Sequence, residues 1–209
     1  MSANEVAGSG GWADVDHHYT TTGLDHTKMA MWAFLGSECL FFGSMITTFL
    51  LYRSRVIDEA VPTPHDVYDI PYTSVSSFVL LMSSLTMVLA LASIQRGDHK
   101  GLRVWLLATA LLGTVFIGGQ IYEFTTFIDE GFTLTSSPAA SAFFMLTGFH
   151  GAHVTGGIFM LLSLVGMSLA GRMADPMPSA RKVEMVGLYW HFVDVVWIVI
   201  FTVVYLVPE

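Results

Sequence analysis

Five long apolar segments divide this chain, and each is about as long as a bilayer is thick. They run from Met29 to Tyr52, Ser74 to Ile94, Val104 to Ile128, Ala139 to Ala170 and Val183 to Val207. A hydrocarbon core of ~30 Å is crossed by ~20 helical residues. Lipid offers no partner to backbone polar groups, so a single segment crosses it only as a helix. The segments are apolar on all faces, unlike the one-sided helix of a soluble protein. The expected fold is an all-α integral membrane bundle of five transmembrane helices. Residues 1–27 are then a polar cytoplasmic N-terminal tail, and residues 28–209 are the five-helix domain.

Composition agrees. Residues of the set AVILMFWYC make up 53% of the 209, and charged residues only 12%, against about 25% in a soluble domain. Nine bases against 17 acids leave a net charge of −8, with no basic face for nucleic acid. One Cys excludes a disulfide framework and a Cys-rich zinc site. That residue, Cys39, lies within the first segment and reads as a small packing residue. The fourth segment exceeds a single span, so its surplus must tilt or stand out of the membrane.

Breakers mark the connections. Pro62, Pro64 and Pro71 fall in the first loop, Gly97 and Gly101 in the second. Pro138 precedes the fourth helix, and Pro176 and Pro178 precede the fifth. The N-terminal stretch lacks the basic start and apolar run of a signal peptide. It carries His17, His18 and His26, which suit either surface proton buffering or a plain polar tail.

Lys and Arg set the orientation. Lys28, Arg96, Lys100, Arg103, Arg172, Arg181 and Lys182 fall on one side, and only Arg53 and Arg55 on the other. The positive-inside rule places the N-terminus in the cytoplasm and the C-terminus outside. The outer loops carry Asp58, Glu59, Asp66, Asp69, Asp129 and Glu130. An acidic outer face suits a basic partner such as a cytochrome c, although solvated loop charge is the plainer account.

A charge at bilayer depth costs at least ~2.5–3.5 kcal/mol, so each intramembrane polar group needs a reason. Glu38 lies near mid-depth in the first helix, with no cation within a turn or two along the chain. It reads either as a neutral acid bonded across a helix interface or as a proton or lipid site. Gln120 and Glu123 share a face of the third helix and fit interhelical packing. His150 and His153 share a face of the fourth, within Thr147-Gly148-Phe149-His150-Gly151-Ala152-His153-Val154. Two such rings can hold a metal or haem. Gly148, Gly151 and Gly156, with Ala152, argue instead for a closely approaching neighbour helix. His191 and Asp194 lie in the inner half of the fifth segment, as a satisfied pair or a proton relay. Contact between His191 and Glu38 is compatible with their depths. No Gly-x-Ser-x-Gly, phosphate loop, dinucleotide fingerprint or His-Glu-x-x-His is present.

Three runs together resemble subunit III of the haem–copper respiratory oxidases. They are Ser37-Glu38 with Phe41-Phe42, Thr147 to Val154, and Tyr189-Trp190-His191-Phe192-Val193-Asp194-Val195-Val196-Trp197. Gln120 through Glu123 fits the same pattern. Members commonly have seven helices, and this chain resembles the five-helix bacterial form that lacks the first two.

The resemblance implies a non-catalytic accessory subunit of an aerobic terminal oxidase, a cytochrome c oxidase of aa3 type, in the bacterial cell membrane. Such a subunit holds no haem or copper and binds phospholipid in a cleft between helix groups. It packs directly on subunit I, with subunit II and other respiratory subunits nearby, and supports proton uptake during oxygen reduction. A supercomplex with a cytochrome c- or quinol-oxidising complex is an assembly the resemblance allows. Haem and copper then belong to partner subunits. Glu38 matches the family's carbodiimide-reactive glutamate at the cleft. Gln120, Glu123, His150, His153, His191 and Asp194 read as interhelical polar packing, with no catalytic or metal site on this chain. The alternatives are subunit III of a quinol oxidase, an accessory subunit of a nitric-oxide reductase, or a free-standing haem-binding or proton-carrying membrane protein.

Overall fold

The computed structural model describes residues 26–53 and 70–207. Five helices fill them: α1 (His26–Tyr52), α2 (Ile70–Gln95), α3 (His99–Asp129), α4 (Pro138–Leu169) and α5 (Pro176–Phe201). A π-helical turn, Thr202–Leu206, continues α5. All five are long and apolar enough to span a membrane, and no strand occurs among the described residues. The polar tail up to residue 25, with His17 and His18, lies outside the described residues. So do Pro62, Pro64, Arg55 and the acidic first-loop residues Asp58, Glu59, Asp66 and Asp69.

The helices begin earlier than hydropathy alone places them. Pro71 and Gly101, expected in loops, lie in the first turns of α2 and α3. Pro138 and Pro178 likewise fall inside α4 and α5. A first-turn Pro is tolerated because its missing N–H has no intrahelical acceptor there. The early start of α5 also moves His191 and Asp194 from the inner half to the middle of the helix.

Local chemistry sets the sharp turns. Gly97 adopts φ +73°, and Asp98 then caps α3 by accepting from the amides of Lys100 and Gly101. Gly171 reverses the chain after α4 with φ +71°. Ser137 caps α4 by accepting from the amide of Ala140.

Helices α2 to α5 form an antiparallel bundle, with α2 packed on α3 and α5, and α4 on α3 and α5. Helix α1 lies against α4 and α5. The buried positions of α3 include Leu102, Leu106, Thr109, Gly113, Phe116, Gln120, Glu123 and Phe127, alternating steps of four and three. Those of α4 include Ala140, Phe143, Thr147, His150, Val154, Gly157, Leu161, Leu164 and Ser168, with the same alternation. A mean step of 3.5 residues is the seam of left-handed, coiled-coil-like packing. Helix α1 buries only Leu35, Phe42 and Phe49, one side chain every two turns.

Ion contacts fix which helix ends lie together. Lys28 Nζ is 2.7 Å from Glu184, joining the starts of α1 and α5. Arg103 donates to the Ser168 side chain and carbonyl, both at 2.9 Å, joining the start of α3 to the end of α4. At the opposite end Arg53 donates to the carbonyls of Val203 and Val207. The bases assigned by sequence to one side therefore do share one end of the bundle.

Candidate functional site

Most of the polar candidates lie toward the middle of their helices, with Glu123 near the end of α3, and they do not form one cluster. Glu38 and His153 meet where α1 crosses α4. Glu38 Oε2 lies 3.2 Å from His153 Nε2, and both side chains remain about one-fifth exposed on the outer face. The other ring nitrogen, Nδ1, is 2.7 Å from the Phe149 carbonyl one turn back. Phe42 stands edge-on to the imidazole with centroids 4.9 Å apart, and Phe41 lies at 6.2 Å. From α5, the Tyr189 hydroxyl donates to the His153 carbonyl at 3.0 Å. The cation missing near Glu38 along the chain is thus replaced by an imidazole 115 residues away. Glu38 pairs with His153, and His191 is engaged elsewhere.

His150 faces the interior and is fully buried. It stacks on Trp197 with centroids 4.9 Å apart and planes at 25°, with Phe116 and Phe42 edge-on. Neither of its ring nitrogens has a hydrogen-bond partner. Phe42 therefore lies against both histidines while their rings serve different contacts. Among the described residues, no three His, Cys, Asp or Glu side chains converge.

The α2–α5 seam is held by serine hydroxyls. Ser84 Oγ sits 2.9 Å from His191 Nδ1 and also donates to Asp194 Oδ2. One hydroxyl has one proton, so donation to Asp194 makes His191 Nδ1–H the donor to Ser84. Sequence alone pairs His191 directly with Asp194; the structure inserts Ser84 between them. Trp190 and Trp197 donate their indole N–H groups to Ser83 and Ser77, each at 2.8 Å. Asp194 Oδ1 is buried without a partner.

Gln120 and Glu123 are buried and diverge to different neighbours. Gln120 donates to the Thr147 carbonyl of α4 at 2.7 Å. Glu123 accepts from Thr73 of α2 at 2.5 Å and from Tyr205 of the π-helical turn at 3.3 Å. Both link helices.

The glycines are used differently from their sequence reading. A Cβ on Gly148 would meet nothing within 4 Å, and one on Gly156 only the Tyr189 hydroxyl at 3.7 Å. Ala152 faces outward. Tight positions inside the bundle include Gly157 and Gly113, where a Cβ would lie 2.8 Å and 2.6 Å from the Trp190 ring. At Gly151 it would meet the Gln120 side chain at 2.6 Å. Large side chains fill these spaces, not a neighbouring backbone. Cys39 is exposed rather than packed.

Sequence reasoning passed over Thr73, Ser77, Ser83 and Ser84, whose hydroxyls meet α3 and α5. Ser77 and Ser84 are seven apart, and that repeat inside an apolar run was the available signal. A groove of about 680 Å³ also opens between α1 and the start of α4, where Met45, Thr48, Tyr52, Ser137, Ser141 and Met145 lie along it.

Comparison with known proteins supplies the family. Residues 11–208 match the family model described as cytochrome c oxidase subunit III. The quinol oxidase subunit 3 of Bacillus subtilis is 39% identical over 178 residues, 85% of each chain. The cytochrome c oxidase subunit 3 of Bacillus sp. strain PS3 is 38% identical, covering 85% of this chain and 84% of that one. The cytochrome bo(3) ubiquinol oxidase subunit 3 of Pseudomonas aeruginosa is 35% identical over 193 residues, 92% of this chain and 90% of the other. A match over nearly the whole length, on five membrane-length helices carrying the quoted motifs in order, places this chain in the cytochrome c oxidase subunit III family.

Proposed function

We propose that this chain is the non-catalytic subunit III of a bacterial aerobic terminal oxidase, packed on subunit I and supporting proton uptake during oxygen reduction. The observation that carries the reading is where the polar groups go. Gln120, Glu123, His191 and Asp194 link helices within the α2–α5 bundle, while Glu38 and His153 join α1 to α4 and remain about one-fifth exposed. That division suits a scaffold with one polar pair turned toward lipid or a neighbouring subunit. Its N-terminus is cytoplasmic, its C-terminus outside, and the catalytic haem and copper belong to subunit I and its partners.

Cytochrome c is the donor we assign to the complex, with quinol as the second reading. Relatives named for each donor stand at nearly equal identity, and the donor acts on other subunits. The groove between α1 and α4 suits a phospholipid, with hydroxyls of Thr48, Ser137 and Ser141 toward its outer end and Met45 and Met145 along an acyl chain.

A mild-detergent pull-down on the tagged chain tests the assignment, read by a reduced-minus-oxidised visible spectrum and a gel. Haem bands arriving with a larger membrane subunit, and lost when the chain is isolated, are the expected result. A haem spectrum retained by the isolated chain overturns it. Oxidation of added cytochrome c or quinol by the captured complex separates the two donors.

A further inference from the structure

The side-chain amide of Gln120 is committed at one end and open at the other. Its Nε2 donates to the Thr147 carbonyl of α4 at 2.7 Å, and a carbonyl only accepts, so Oε1 is the end left over. Gln120 is only 7% exposed, yet among the described residues no donor reaches Oε1. The oxygen lies against Gly151, where a Cβ would stand 2.6 Å from it. There it meets a groove of about 230 Å³ between α3 and α4, walled by Ile121 and Phe124 on one side and by Gly151 and Thr155 on the other. Thr155, the other polar side chain on that wall, donates its hydroxyl to the Gly151 carbonyl at 2.8 Å and has no proton left to give.

Depth decides what can answer that oxygen. At 1.5 Å per residue Gly151 lies roughly 20 Å from the start of the 32-residue α4, well inside a ~30 Å hydrocarbon core. Acyl chains carry no donor, and an acceptor left unmet in hydrocarbon is costly. Beside the groove α4 presents Ala152, small enough for a neighbouring backbone to come close. We propose that the α3–α4 groove is a docking site for a transmembrane helix of another subunit, which seats one side chain between Ile121 and Thr155 and donates its N–H or O–H to Gln120 Oε1. The donor is an uncharged hydroxyl, amide or indole; a cation would stand unpaired here, because no acid lines the groove. A phospholipid tail fills the same space and leaves the oxygen unmet. The groove shares no lining residue with the larger one between α1 and α4. The inference rests on the reading of this chain as one subunit of a membrane complex and stands for either electron donor.

The test uses the whole complex in its own membrane, with benzoylphenylalanine placed at Ile121, 61% exposed at the groove's edge, or at Phe124, where it replaces a ring already in the wall. On irradiation the probe's ketone adds a neighbouring C–H bond across its C=O, hydrogen to oxygen and carbon to carbon. The joined fragments are then identified by mass, and haem by the visible spectrum. The expected product joins α3 to a membrane-spanning fragment of another subunit, in a complex that carries haem. Adducts confined to phospholipid, to a quinone or to this chain itself, in a complex that carries haem, overturn the proposal and leave the subunit assignment standing. A complex without haem overturns the assignment, and the proposal with it. The joined fragment also locates the donor. Replacing that residue by an apolar one of like size is expected to raise the infrared frequency of the isotope-labelled Gln120 side-chain carbonyl, the band that Gln120→Leu removes. Retention of the partner subunit through detergent is expected to fall roughly two- to tenfold, the range one hydrogen bond spans. An unmoved band overturns the proposal, as does a joined fragment that offers no uncharged donor.

Discussion

Trp190 joins the four bundle helices through one side chain. Its indole N–H donates to Ser83 of α2, and its ring lies over Gly113 of α3 and Gly157 of α4. A methyl group at either glycine must displace a buried ring, and overpacking of that kind costs about 1–3 kcal/mol. Gly157→Ala and Gly113→Ala are therefore expected to lower the melting temperature of the complex. Gly148→Ala is expected to leave it unchanged, since nothing lies within 4 Å. Gly151→Ala should cost less than Gly157→Ala, because the end of the Gln120 side chain can move aside. Gly151→Leu exceeds that allowance and is expected to abolish assembly; a normal yield of complex would refute the close contact. Ser83→Ala leaves the Trp190 N–H buried without an acceptor, an expected loss of about 1–3 kcal/mol, read in the same melt. The residues of these contacts were visible in the sequence, but their partners were not. Glu38 and His153, or Ser84 and Asp194, are joined only when the helices pack, and no local spacing encodes a pair 115 or 110 residues apart.

Among the elements, α1 is held differently from the rest. Leu35, Phe42 and Phe49 form its one narrow buried line, and Lys28 and Arg53 tie its two ends to α5. Phe42 is the central anchor, lying against His150, His153 and Phe192. Phe42→Ala removes a buried aromatic, worth about 3–5 kcal/mol in a packed core. Hydrogen exchange of the complex in detergent is expected to rise across α1 in this variant while α2 and α3 stay protected. A uniform rise over all five helices would show that α1 is not a separately held element. The existence of α1 was legible from its apolar length. Its marginal attachment was not, because outward-facing Leu40 and buried Phe42 are equally apolar.

For the molecule as a whole, the basic ends of α1, α3 and α5 lie together, and the positive-inside rule predicts that this end faces the cytoplasm. A protease-sensitive tag is expected to be cut from the cytoplasmic side at the N-terminus and from outside at the C-terminus. The reverse pattern would overturn the orientation while leaving the helix packing intact. On the proposed role, removing this subunit from the assembled oxidase is expected to slow proton uptake and with it sustained oxygen reduction. Unaltered activity over prolonged turnover would count against a supporting role in proton uptake.

The number of helices, their membrane length and their alternating direction followed from the sequence by itself. Each of these depends on apolar length and on where the bases fall, which are local properties of the chain. The inward face of each helix was decided only by the tertiary structure. In water, polarity separates inside from outside; between lipid and a protein interior it does not. Here Val75, Phe78, Leu111 and Phe159 face outward, while Thr73, Ser77, Thr109, Gln120 and Asp194 are buried. Polar groups gain by meeting one another across helices and find no partner in hydrocarbon. The apolar residues can face either side at little difference in energy, so the packing partners select the face.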